Sequence, residues 1–223
     1  TFSFSQVPVG FTLSDITAAN GSISDLQATA DPLVFTATFT ATPGFEGQGQ
    51  VSVAAGSYAN AAGNPGSAGS DTVGIDTAAP QPTITLDPAI TADDILNAAE
   101  VGQTIPVTGV VGGDAKEGDT VTLTINGNTF TGLVLADKTF SINVPGTDLA
   151  ADPDRSIEAS ITTKDDAGNT ASASDSEGYL VDTSAPGVVV NIVDASLNVA
   201  DAVSPVTFSF SQVPVGFTLS DIT

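Results

Sequence analysis

The sequence predicts an all-β protein in which tandem β-sandwich domains are strung into an elongated array. Three observations predict it. Residues Thr1–Thr17, TFSFSQVPVGFTLSDIT, recur letter for letter at Thr207–Thr223, a period of 206. Inside that period a weaker set of markers recurs at roughly half the spacing. Finally, apolar residues alternate with Thr and Ser in short runs punctuated by Gly and Pro, and there is no amphipathic helix of useful length.

Identity over seventeen residues does not arise by chance, and self-similarity at a fixed period marks a repeat architecture. The chain reads as slightly more than one unit of such an array, beginning and ending mid-pattern. The half-period markers come in the same order each time. Asp76-Thr77-Ala78-Ala79-Pro80 matches Asp182-Thr183-Ser184-Ala185-Pro186, and Ala62-Gly63-Asn64 matches Ala167-Gly168-Asn169 shortly upstream. The pattern D-x-x-L-N-x-A-[DE] follows each linker, at Asp93–Glu100 and at Asp194–Asp201. The unit is thus two related domains of a size usual for a β-sandwich. Residues 81–186 are expected to form a complete domain. Residues 1–80 form one that lacks its first strand, and residues 187–223 supply the first strands of the next, 187–206 followed by the repeat of 1–17.

Each run has its own reason to be a strand. Thr1–Phe4, Phe35–Phe39, Val51–Val53, Val121–Ile125, Phe140–Val144 and Ile157–Ile161 put apolar groups on one face, the pattern of a half-buried antiparallel sheet. Asn126-Gly127, between TVTLTI and NTFTGLVL, tolerates the positive φ of a tight hairpin turn, so those two runs should pair. About seven short strands per domain favour an immunoglobulin-like sandwich over a barrel. The Cys and Trp that centre antibody domains are missing, so Phe2, Phe4, Phe35, Phe39, Phe130 and Phe140 are expected to fill the cores, with Tyr179 as core or linker packing.

Composition limits the function. Against 26 Asp and Glu there are 4 Lys and Arg, a formal net charge of −22. Nucleic acid and anionic membrane are therefore very poor partners, and cations are the expected ones. The four basic residues, Lys116, Lys138, Arg155 and Lys164, all lie mid-chain, so most carboxylates have no side-chain cation to pair with. No Cys or His is present, so no Ser-His-Asp or Cys-His centre can be built and zinc has only carboxylates to bind. No phosphate-binding glycine motif, signal peptide or run long enough for a spanning helix is found. Carboxylate pairs of a glycosidase type exist only because acids are abundant, and Tyr58 stands isolated in the sequence. An enzyme is not expected.

Calcium takes six to eight hard oxygens from carboxylates, amides and carbonyls in irregular geometry. The linker Asp residues, the D-x-x-L-N-x-A-[DE] loops and the D-A-G-N loop at Asp166–Asn169 supply that set. With linkers at the poles of sandwiches, Asp76 would meet Asp93, Asp94, Asn97 and Glu100 of the following domain, and Asp182 would meet Asp194, Asn198 and Asp201. Asp166, Asn169 and Asn64 lie in loops shortly before the linkers and would add ligands. Any single Asp or Asn here is an ordinary turn residue; it is the recurrence of the set beside a recurring linker that points to calcium. Asp114, Asp119, Asp137, Asp152 and Asp154 read as surface acids.

The segments VTFSFSQVPVGFTLSDIT and GQVSVAAGSYANAAGNPGSAGSDTVGIDTAAP resemble one class of bacterial immunoglobulin-like repeat. ITADDILNAAEVGQTIPVTGVVGGDAKEGDTVTLTINGNTFTG with DDAGNTASASDSEGYLVDTSAP resembles a second class that alternates with it. Both are similar to the extender repeats of giant RTX adhesins, exported by type I secretion in Gram-negative bacteria. The resemblance covers essentially the whole chain. It implies an extracellular, cell-surface spacer in a biofilm or host-surface adhesin, with Ca2+ and neighbouring repeats as partners and calcium rigidifying the junctions. The rival reading is a glycan- or protein-binding module, which exposed aromatics in a shared patch would favour.

Overall fold

The structure, a computed structural model, describes residues 1–222. Residues 2–76 form six strands: β1 (Phe2–Ser3), β2 (Ile16–Ala19), β3 (Gly21–Ala28), β4 (Val34–Ala41), β5 (Glu46–Val53) and β6 (Gly69–Asp76). They make two three-stranded sheets, ordered β1-β4-β3 and β2-β5-β6. Residues 82–182 hold β7 (Pro82–Leu86), β8 (Ile95–Asn97), β9 (Thr104–Gly113), β10 (Thr120–Ile125), β11 (Asn128–Leu133), β12 (Thr139–Pro145), a short helix α1 (Gly146–Ala151), β13 (Ser156–Lys164), β14 (Thr170–Gly178) and β15 (Leu180–Asp182). Here a four-stranded sheet, β11-β10-β13-β14, faces a three-stranded one, β12-β9-β7, and β15 pairs β8 in parallel at one pole. The remaining strands, β16 (Val188–Ile192) and β17 (Val206–Phe210), form an antiparallel hairpin. All other strand pairs are antiparallel.

The alternation seen in the sequence is the alternation of burial. In β13, Ile157, Ala159, Ile161 and Thr163 are buried while the residues between them are not, because successive side chains leave a strand on opposite faces. Ile157, Ala159 and Ile161 join Val121, Leu123, Ile125, Phe140, Ile142 and Val144 from both sheets in one core. Phe140 is fully buried, whereas Phe130 packs at the margin. The hairpin turn at Asn126-Gly127 is present, with φ of 51° and 73° and Ile125 opposite Asn128.

Residues 2–76 use a different core. Phe4 and Phe11 lie 4.9 Å apart, Phe4 and Tyr58 4.9 Å, and Phe11 and Phe35 5.4 Å, all edge-to-face. Edge-to-face is the favoured arrangement for aromatic pairs. Tyr58 is therefore a member of this cluster rather than an isolated residue; its partners are distant in sequence. Phe11, Val53 and Ile75 are the only hydrophobic side chains buried in this half, so the packing is more open than in residues 82–182.

Two further readings are corrected. Asp152 is 3 % exposed and not a surface acid. Its carboxylate accepts from Tyr179 Oη at 3.0 Å and from the Asn126 and Ser156 N–H groups at 3.2 Å each, which repays its burial. Asp119 accepts at 2.7 Å from Thr163 Oγ1, a fully buried hydroxyl, and at 2.7 Å from the Lys116 N–H.

Candidate calcium-binding junctions

The topology decides which acids can meet. β7 pairs β9 with Pro82 opposite Gly113 and Leu86 opposite Gly109, so the linker enters beside the end of β9. Gln81 and Asp114 clamp this entry: the Gln81 N–H donates to Asp114 Oδ2 at 2.7 Å, and the Asp114 N–H donates to the Gln81 carbonyl at 3.1 Å. A side chain at Gly113 (φ 57°) would place its Cβ 1.9 Å from that carbonyl, so glycine is required there. The β13–β14 loop, Asp165–Asn169, lies at this same entry pole. The loop Asp93–Glu100 lies at the opposite pole, where β8 pairs β15. Ten residues of β9 separate the two poles by about 30 Å.

Asp76 consequently meets Asn169 and not Asp93–Glu100. Asn169 Nδ2 donates to the Asp76 carbonyl at 3.2 Å, to Asp76 Oδ1 at 3.3 Å and to Asp165 Oδ2 at 2.8 Å. Three acceptor oxygens from two chain segments thus surround one amide nitrogen that carries only two protons. Asp165 also accepts the Gly168 and Asn169 N–H groups on Oδ1, each at 2.8 Å. The Asn169 side chain, with these backbone donors behind it, holds the Asp165 carboxyl below the usual carboxylate range. Sequence reasoning picked Asp166 from the pair of acids, yet Asp166 points to solvent and forms a surface ion pair with Lys116 Nζ at 3.3 Å. The usable signal was position: the acid four residues before the Asn closes the loop, as Asn60 does in the matching loop by accepting the Ala62 and Asn64 N–H groups. Asn64 itself lies at the other end of β5 and β6 from Asp76, about 24 Å away.

The far pole gathers another part of the predicted set. Asp182 sits opposite Asn97 in the β15–β8 pair. Asn97 Oδ1 accepts the Ala99 and Glu100 N–H groups at 2.9 and 3.2 Å, while Glu100 Oε2 accepts the Asn97 N–H at 2.9 Å. That is a reciprocal capping box. Asn198 repeats its first half, accepting the Ala200 and Asp201 N–H groups at 2.9 and 3.2 Å. The recurring N-x-A-[DE] spacing is therefore explained by turn closure. Asp93 Oδ1 accepts Thr91 Oγ1 and the Ile95 N–H, and Asp94 Oδ1 accepts the Ile90 N–H, each at 3.2 Å. Asp194 is held through its N–H by Ser204 Oγ at 2.9 Å, and Asp182 Oδ2 accepts from Gln212 Nε2 at 2.9 Å. Gln212 was not foreseen as a linker contact.

Among the described residues no three Asp or Glu side chains stand close enough together to hold a metal. A cation at the poles must draw on carbonyl and amide oxygens as well as carboxylates, a donor set that suits calcium and not zinc. The entry pole fits best: Asp76 O, Asp76 Oδ1 and Asp165 Oδ2 already converge, and turning the Asn169 amide over would add a fourth oxygen.

A bacterial Ig-like domain model matches residues 1–78. A bacterial immunoglobulin-like domain from the M. primoryensis ice-binding adhesin is 46% identical; the match covers 47% of this chain and 98% of that one, with a TM-score of 0.42. The chain belongs to the bacterial immunoglobulin-like domain family. Two longer structures are also similar to this family member. One, from a 1.5-MDa bacterial ice-binding adhesin described for its host cell surface retention, is 36% identical over 74% of the chain, with a TM-score of 0.51. The other, a Ca2+-stabilized adhesin of an Antarctic bacterium that binds ice, is 33% identical over 81%, with a TM-score of 0.54. The chain spans 52% and 43% of those two structures. No curated protein matches it. No helix among the described residues is long and apolar enough to cross a membrane.

Proposed function

We propose that this chain is a stretch of the extender of a bacterial cell-surface adhesin, a mechanical spacer that holds distal binding domains away from the cell. Its units are residues 1–80, 81–186 and 187–223, and calcium at the junctions limits their bending. The observation that carries the reading is the linker Asp76, whose carbonyl and carboxylate converge with Asp165 on Asn169 of the next sandwich. A divalent ion there would tie the end of β6 to the β13–β14 loop, so that two segments from different units share one ligand set. Asp76, Asp165 and Asn169 would hold it, with Asp182, Asn97 and Glu100 the weaker candidates at the far pole. Similarity to surface-adhesin domains, one of them calcium-stabilized, supports an extracellular setting. Export by type I secretion from a Gram-negative cell belongs to the same reading.

A spacer needs length and stiffness, and each tandem copy adds length, whereas repetition adds nothing mechanical to a catalyst or a single binding face. Phe2, Phe4, Phe11, Phe35 and Tyr58 pack against one another as the core of residues 2–76. Small-angle scattering of a multi-repeat chain tests the proposal. Calcium in the millimolar range should lengthen and narrow the distribution of end-to-end distances, and chelator should reverse it. Identical profiles with and without calcium would remove the calcium half of the proposal.

A further inference from the structure

Asparagine is followed by glycine twice in the chain, at Asn20-Gly21 and at Asn126-Gly127. Such a pair can react with itself, because no side chain shields the glycine nitrogen. That nitrogen adds to the asparagine Cγ, and a five-membered ring closes as the side-chain NH2 leaves with the N–H proton as ammonia. The ring holds the Asn Cα, Cβ and Cγ, the Asn carbonyl carbon and the Gly nitrogen, so Cβ must eclipse that nitrogen. For an L-residue this occurs at ψ of about −120°, which is also the ψ of the first central residue in a type II′ turn.

The two sites differ in what that rotation would break. Asn126 and Gly127 are the central residues of the β10–β11 hairpin, both at positive φ as a type I′ turn requires. Types I′ and II′ are the favoured two-residue hairpin turns, and a flip of the central peptide plane converts one into the other. Here that plane carries the Asn126 carbonyl and the Gly127 N–H, and neither is hydrogen-bonded among the described residues. Gly127 is exposed, a Cβ there would touch nothing within 4 Å, and glycine accepts either sign of φ. Asn126 is held instead through its own N–H, which donates to Asp152 Oδ1 at 3.2 Å and lies outside the flipping plane. At Asn20-Gly21 the corresponding plane is fixed. The Asn20 carbonyl accepts the Thr42 N–H at 3.1 Å, Asn20 Nδ2 donates to the Gln48 carbonyl at 2.8 Å, and Gly21 is packed under the Phe39 ring.

We infer that Asn126 is a self-modification site of the folded chain, converted without an enzyme to aspartate and isoaspartate, while the fold protects Asn20. Water is the only co-reactant. It opens the ring at either carbonyl, so that overall an amide is exchanged for a carboxylate and ammonia. Opening at Cγ gives aspartate. Opening at the main-chain carbonyl gives isoaspartate, whose backbone runs through Cβ and is one atom longer. A two-residue turn that keeps Ile125 opposite Asn128 has no slack for that atom. The new carboxylate also arrives beside two others, Asp152 and Asp148, which accepts from Asn128 Nδ2 at 2.8 Å. Like charges gathered there repel, so the change loosens the hairpin at the pole that carries β15.

The full wild-type chain tests this without any substitution. It is aged at mildly alkaline pH, its peptides are mapped by mass spectrometry, and isoaspartate is labelled with a protein isoaspartyl methyltransferase. In the folded chain Asn126 should convert at least an order of magnitude faster than Asn20, with isoaspartate among its products. In urea strong enough to unfold the chain the two rates should converge, because both sites then present the same Asn-Gly chemistry. Comparable rates at the two sites in the folded chain, or faster loss at Asn20, would overturn the inference. So would a rate ratio that survives unfolding, because the flanking residues rather than the hairpin would then set it.

Discussion

Replacing Asp76 by Asn separates the electrostatic role of the linker acid from its structural one. The Asn side chain keeps the size of Asp and an oxygen for the Ala78 N–H, which now donates to Asp76 Oδ1 at 3.2 Å, so the local turn is retained. Only the charge is lost. Without calcium the change should therefore be small, within the roughly 0.5 kcal/mol usual for a substitution that removes no buried contact. With calcium the outcome differs. Extracellular sites bind at roughly 10⁻⁴ to 10⁻³ M, so calcium at about 10 mM stabilises the folded junction by about 1.4 to 2.7 kcal/mol. For a sandwich of this size that is a rise in Tm of roughly 6 to 20 °C. Asp76 supplies two of the three converging oxygens, and its carboxylate is one of the two that accept from Asn169 Nδ2. Losing that charge should weaken binding about tenfold and remove about 1.0 to 1.3 kcal/mol of the stabilisation, most of it if the site is at the weak end of the range. Thermal unfolding of wild type and Asp76→Asn in chelator and in calcium gives the four melting temperatures needed. A calcium-induced rise that is equal in the two proteins would refute the placement of a cation at Asp76. The absence of any rise in wild type would refute the site itself.

Other substitutions check the roles assigned at the far pole and in the core. Asn97→Ala should cost about 1 kcal/mol through loss of the capping turn, equally in calcium and in chelator; a loss seen only in calcium would make Asn97 a ligand rather than a cap. Tyr179→Phe removes a buried hydroxyl whose single proton is shared between the Leu149 carbonyl at 2.9 Å and Asp152 at 3.0 Å. About 1.5 to 3 kcal/mol of stability should go with it, measured by urea unfolding. The same hydroxyl sets an alkaline limit. Burial first, and then the neighbouring Asp152 carboxylate, raise its pKa above the ordinary tyrosine value. A group whose folded pKa is raised contributes stability that is fully present below the unfolded value, near pH 10, and is lost as pH climbs above it. Wild type should therefore lose stability progressively above about pH 10, and Tyr179→Phe should show a shallower slope there. Equal slopes would place the alkaline limit elsewhere.

Much of the architecture is legible in the sequence, because it rests on short-range rules. Strand residues alternate with period two whatever their partners are, so β10, β12 and β13 could be read from Val121–Ile125, Phe140–Val144 and Ile157–Ile161. The Asn126-Gly127 hairpin followed from local backbone freedom alone. The repeat at Thr1 and Thr207 showed that the chain is modular, and net charge with the lack of His and Cys narrowed the chemistry. Pole assignment was not legible in this way. Whether a loop faces the linker before it or the linker after it depends on how many strands lie between, and on which sheet each joins. Sequence nearness suggested that Asp76 meets Asp93–Glu100, but the β7–β9 pairing places that loop about 30 Å away, beside Asp182. Recurrence alone could not tell a ligand from a cap either, since N-x-A-[DE] closes a turn and also offers oxygens. Asp152 and Asp166 are both Asp residues in polar loops, yet the fold buries the first under Tyr179 and leaves the second in water. A residue's neighbours across the sheet are set by long-range strand pairing, and only the tertiary structure decided those.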